Sequence, residues 1–210
     1  MPLILTEPLI AAIRRQYRLE WEGIHGAPHW ARVLRNGLEL AARTQARVDV
    51  VALFAVFHDA CRHNDDQDPQ HGPRGAALAR DFHGRHFQLD SSGLTLLTVA
   101  CETHTTGTDH PDITVRTCWD ADRLDLWRVG IRPHPRRLTT EAAQQPELIH
   151  AAMERSEKDD FPYRERFAVT PENMPDCDQP PSGPVVERVH GGRETDPREA
   201  GPGKLGTNSI

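Results

Sequence analysis

Several things are scarce in this chain, and each shortage removes a class of function. Cysteine is rare: 210 residues carry four, Cys61, Cys101, Cys118 and Cys177, with no CxxC pair among them. They sit in otherwise apolar or turn contexts, so the expectation is reduced cysteines in a cytoplasmic protein. No apolar run approaches the roughly 20 residues that cross a bilayer. The opening residues, MPLILTEPLIAAIRRQ, lack a basic stretch ahead of an apolar core and soon turn charged, unlike a secretory signal. Positive charge is not in excess either. With 25 Lys and Arg against 31 Asp and Glu the formal charge is −6, which argues against a surface built for general nucleic-acid or membrane binding. Sustained period-2 alternation is missing, so no strand is expected.

What remains is a helical pattern and an abundance of histidine, 12 in all. Leu9, Ile10, Ile13, Tyr17 and Trp21 recur at helical spacing behind Thr6-Glu7-Pro8, an N-cap followed by an early proline. A second helix is expected from about Pro28 to Thr44. A third is expected from Val48 to about Cys61; VDVVALFAVFHDA is apolar on nearly every side, which places it at the centre of its domain. NDDQDPQHGP, residues 64–73, reads as a polar loop. Further helices are expected near Arg74–Phe87, Ser91–Thr105, Cys118–Val129 and Thr140–Lys158, the last capped by Thr139 or Thr140. The fold class is therefore all-α, with residues 1–168 as one helical domain. Residues 169–210 are rich in Pro and Gly and poor in large apolar side chains, the composition of a disordered tail.

Four pieces carry candidate chemistry: His29 in PHWARVL, His58-Asp59 in AVFHDACRH, His104 in ACETHTTG, and Asp120 and Asp122 in CWDADRLDLW. An ionised carboxylate at Asp59, at the end of so apolar a helix, costs several kcal/mol unless a cation or dense hydrogen bonding offsets it. Successive helical residues diverge by about 100°, so His58 and Asp59 can bracket one ion. Mixed imidazole and carboxylate donors suit Mn, Fe, Co, Ni or Zn better than Ca²⁺. Taken singly, each piece has a plainer explanation. An HD dipeptide is common, His29 can be a polar residue of a first helical turn, His104 a hydrogen-bonded core histidine, and Asp122 a partner of Arg123 or Arg128. Their order and joint spacing favour a shared ion.

From about Trp21 to Arg132 the chain resembles the HD superfamily of metal-dependent phosphohydrolases, whose signature is H…HD…D on a helical bundle. HWARV matches the context of the first histidine, His29. His58 and Asp59 match the doublet, and the ADRL segment matches the last ligand at Asp122, with Asp120 as the fallback. The resemblance implies a divalent transition metal held by His29, His58, Asp59 and Asp122, with a second ion left open. It further implies a water-activating role for Asp59, proton transfer by His71 or His104, and phosphate contacts by Arg62 and Arg123, against which stands a salt-bridge role for both arginines. HDACR departs from the family's usual HDxGK/R in having Cys61 at the glycine position. His63 stays under consideration because it adjoins the motif; His83 and His86 read as helix-end or surface residues. The implied substrate is a nucleotide or other small phosphate ester. Two alternatives stay open: a di-iron oxygenase on the same fold, if His71 and His104 are also ligands, and a non-catalytic nucleotide- or metal-binding regulatory module.

Overall fold

A computed structural model describes residues 4–168. Cys177 and the Pro/Gly-rich segment 169–210 lie outside the described residues. Eight α-helices follow in order: α1 (Glu7–Gln16), α2 (Ala27–Thr44), α3 (Val48–Phe57), α4 (His71–Phe82), α5 (Ser91–Thr103), α6 (Ile113–Arg123), α7 (Pro146–Glu157) and α8 (Arg164–Phe167). Short 3₁₀ turns occupy Leu126–Val129 and Pro135–Arg137. Among the described residues there is no strand, and the domain is all-α.

The middle helix is α3, as its all-round apolarity requires. Every residue from Val50 to Phe57 is buried, and α2, α4, α5 and α6 all pack against it. Fully burying each large side chain there contributes roughly 1.5–3 kcal/mol. Among the described residues no helix is long and apolar enough to cross a membrane.

Helix starts follow their caps. Thr6 accepts from the Leu9 amide at 3.4 Å and opens α1. The bounds of α3, α4, α6 and α7 differ from expectation. The α-helical part of α3 stops at Phe57, and His58 to Cys61 continue as a turn. The loop expected over 64–73 ends at Gln70, because Pro73 lies within the first turn of α4, where an amide N–H has no helical partner to lose. That helix then stops at Phe82, before a turn in which Gly84 takes φ +81°. Its neighbour α6 begins at Ile113 rather than Cys118, because Asp112 accepts from the Thr114 amide at 2.7 Å, and it ends at Arg123. Last, α7 begins at Pro146: proline disfavours a helical residue before it. Neither Thr139 nor Thr140 caps α7; both are held by Asp120 instead.

Candidate metal centre

At the end of α3 the chain turns His58 and Asp59 into the interior, 0 % and 2 % exposed. The two oxygens of Asp59 face different partners. Oδ2 lies 2.9 Å from His25 Nδ1, 3.8 Å from His29 Nε2 and 4.0 Å from His58 Nε2. Oδ1 lies 3.1 Å from His71 Nε2, 3.5 Å from Arg62 Nη1 and 3.8 Å from His104 Nε2. His29 comes from the first turn of α2, His71 from the start of α4, His104 from the end of α5, and Asp122 from the last turn of α6.

The orientation of the imidazoles is fixed from behind. His29 Nδ1 meets the buried Asp125 carboxylate at 2.7 Å, and Arg32 Nε donates to the other oxygen of Asp125 at 2.7 Å. His58 Nδ1 meets the Phe54 carbonyl at 3.1 Å, His104 Nδ1 the Cys101 carbonyl at 2.8 Å, and His71 Nδ1 the Asp68 carbonyl. Carbonyls and carboxylates only accept, so each Nδ1 carries a hydrogen, and each ring that is neutral presents a lone pair at Nε2. Those lone pairs converge. His29 Nε2 stands 3.1 Å from His58 Nε2, and His71 Nε2 stands 2.8 Å from His104 Nε2. Two neutral acceptors at such a distance repel unless a cation or a proton lies between them.

Asp122 Oδ1 completes the first group, 3.4 Å from His29 Nε2 and 3.8 Å from His58 Nε2. Donors about 2.0–2.2 Å from one ion stand roughly 3.0–3.5 Å apart; the His29–His58 and His29–Asp122 pairs meet that spacing, whereas Asp59 Oδ2 to either imidazole and Asp122 to His58 are wider, at 3.8–4.0 Å. Among the described residues, two fully buried triads have donor atoms within 4.8 Å of one another: His29, His58 and Asp59, and Asp59, His71 and His104. Asp59 belongs to both, one oxygen to each. A second ion would have to share Oδ1 with the Arg62 guanidinium.

Electrostatics at the centre follow from burial and from this crowding. Burial pushes the His58 imidazole down to about 3 despite the nearby Asp59 and Asp122, and burial likewise lowers His104. Burial works against ionising Asp59, yet His58, His25 and His71 outweigh it and hold its carboxyl well below the usual range. The same opposition leaves Asp122 lowered, through His29 and His58. His71 is raised: its desolvation is outweighed by the hydrogen bond and charge of Asp59.

The other residues considered are dispersed. Asp120, fully buried, accepts from Thr139 and Thr140 at 2.8–3.1 Å through both their amides and both their hydroxyls, which leaves it a loop anchor away from the histidines. Arg62 donates to the carbonyls of Asn64 and Asp66, at 3.3 and 2.7 Å, besides flanking Asp59. Arg123 donates to the carbonyls of Arg137, His104 and Gly107. His63 is exposed, with its amide bonded to Asp68; His83 is held by the backbone of Leu89, and His86 is partly buried beside Phe82. Sequence reading missed His25, Asp125 and Arg32. The His25-x₃-His29 spacing and the third aspartate of DADRLD were the available signals.

Beside the centre, a cavity of about 680 Å³ reaches His104 and Asp122. No family model and no curated protein matches the chain. A solved structure does: the crystal structure of a predicted HD superfamily hydrolase from an uncultured Thermotogales bacterium, with TM-score 0.53 and 23% identity over 76% of this chain and 89% of that one. The chain shares the fold of that structure. In this fold the His58–Asp59 pair sits where α3 ends, so that five other segments of chain can close on it. At 23% identity the likeness concerns the fold, and the chemistry rests on the residues themselves.

Proposed function

We propose that the protein is a metal-dependent phosphohydrolase that cleaves a nucleotide or other small phosphate ester with water. The observation that supports this best is the convergence of two imidazoles and two carboxylates at His29, His58, Asp59 and Asp122, with each imidazole oriented from behind by a hydrogen bond at Nδ1. Those four residues would hold a divalent transition metal. When bound, such a cation supplies Lewis acidity and lowers the pKa of water toward about 7.

The chain's own groups would do the rest. Asp59 orients the attacking water, whose oxygen bonds to phosphorus as the ester P–O bond breaks. His104, at the cavity wall and 2.8 Å from His71, delivers a proton to the leaving oxygen, with His71 as its reservoir beside Asp59. Arg62 and Arg123 stiffen the centre and its rim, and their charge favours an anionic substrate. The division of Asp59 between two triads favours a second reading, a di-iron oxygenase of the same fold; two irons per chain and oxygen uptake would distinguish it.

The test is a screen of phosphomonoesters, phosphodiesters and nucleotides with Mn²⁺, Co²⁺ or Ni²⁺ added. Hydrolysis that disappears in Asp59→Ala supports the proposal. Hydrolysis undiminished in that variant, or none with any metal and substrate, refutes it.

A further inference from the structure

Arginine gathers at one place in this acidic chain. Arg123, Arg132, Arg136 and Arg137 all line the cavity beside the metal centre, and among the described residues Asp122 is the one acidic residue in its wall. The four are not equivalent. The guanidinium of Arg123 is committed to three backbone carbonyls and lies over the Trp119 ring. Arg132, Arg136 and Arg137 are exposed, and among the described residues their guanidinium groups have no carboxylate or carbonyl partner.

Their backbone, by contrast, is fixed. The buried Asp120 carboxylate holds Thr139 and Thr140 by four donors. Gln144 Nε2 donates to the Leu138 carbonyl at 2.9 Å, and Arg123 Nη1 to the Arg137 carbonyl at 3.1 Å. His134 Nδ1 accepts from the Arg136 amide at 3.1 Å and opens the 3₁₀ turn. A firmly mounted loop thus carries three arginines in the wall of the cavity that reaches His104 and Asp122, with no counter-charge paired to them among the described residues. Like charges gathered without counter-charge repel one another, and a multiply charged anion relieves that repulsion while pairing bidentately with each fork.

We propose that Arg132, Arg136 and Arg137 form a second anion subsite, so that the preferred substrate is a small polyphosphorylated molecule, with at least one phosphate beyond the one cleaved. This deepens the phosphohydrolase reading and rests on it. A cavity of about 680 Å³ suits a small molecule, and the net charge of −6 disfavours an extended nucleic acid.

The test is calorimetric titration of Mn²⁺-loaded protein, at constant free Mn²⁺, with inorganic phosphate, tripolyphosphate and a short single-stranded oligonucleotide. Tripolyphosphate should bind at least about tenfold more tightly than phosphate. The R132Q/R136Q/R137Q variant should lose that preference to within about twofold while holding Mn²⁺ and phosphate like the parent, since exposed substitutions disturb the fold little. Three results would overturn the proposal: tripolyphosphate binding no tighter than phosphate, a preference that survives in the variant, or an oligonucleotide that outbinds tripolyphosphate. If the parent takes up no Mn²⁺, the hydrolase reading falls and this subsite with it. If Mn²⁺ binds and tripolyphosphate is not preferred, only the subsite falls.

Discussion

Asp125 touches none of the converging donors except through His29, whose Nδ1–H it accepts at 2.7 Å while Arg32 holds its other oxygen. Replacing it removes the negative charge that keeps the His29 lone pair basic and aimed. Asp125→Asn should weaken metal binding by about 10- to 100-fold in a chelator competition, as losing an outer hydrogen bond to a ligating histidine does elsewhere; unchanged affinity would remove Asp125 from the account. Protonation acts on the same residues. His58 titrates near 3 in the folded protein and His104 is lowered as well, whereas unfolded histidines take up protons near 6.5. The unfolded state therefore binds more protons between those values, and stability falls as the pH falls, by about 1.4 kcal/mol per pH unit for each proton. His71, raised by Asp59, runs the other way: its contribution is present below 6.5 and is lost as the pH rises through its folded value. Two lowered groups outweigh one raised group. The thermal midpoint of chelator-treated protein should drop between about pH 7 and about pH 5, and His58→Leu should flatten that drop. A midpoint that climbs on acidification would contradict the burial of neutral imidazole. The doublet and His29 were legible in the sequence because they stand inside apolar helical patterns. His25 was not, since it precedes its helix and reaches Asp59 only through the fold.

Helix α4 owes its position to what two of its residues lack. A side chain at Gly75 would run into the Phe57 carbonyl, and one at Gly72 would meet the Cys101 carbonyl and the His104 ring. Bare backbone there lets α4 press against the ends of α3 and α5, and that approach carries His71 to within 3.1 Å of Asp59. Gly75→Ala should cost about 1–3 kcal/mol in chemical denaturation, the usual penalty for overpacking; a variant as stable as the parent would mean that the two helices part freely. Asp112→Ala, which removes the cap of α6, should cost about 1 kcal/mol, read in the same way. Helix existence was plain from apolar periodicity, and the central place of α3 from its lack of a polar side. Ends were harder. A proline inside a first turn, as at Pro73, looks in sequence like a loop residue, and Thr114 and Thr117 hide the start of α6 because they are buried without being apolar. Asp120 was likewise ambiguous beside Asp122: only the position of the Thr139–Thr140 loop shows which carboxylate turns away from the histidines.

Across the molecule, the helical fold sets the topology and the charge distribution sets what approaches it. A chain of net charge −6 surrounds its deepest carboxylates with imidazole and guanidinium and places four arginines around one adjacent cavity. Fold class was readable from the sequence because the same helical period recurs through most of the chain. The cavity was not, because residues 104–108 and 131–139 contribute to one wall only after α6 brings them together. The proposed chemistry needs a cation at the meeting point of α2, α3 and α6, and the most direct test is the metal content of the purified chain after equilibrium dialysis against Mn²⁺ or Ni²⁺. Bound metal in the parent, lost in both His29→Ala and His58→Ala while their helical circular dichroism persists, is the predicted result. Metal retained by both folded variants, or absent from a folded parent, would contradict it.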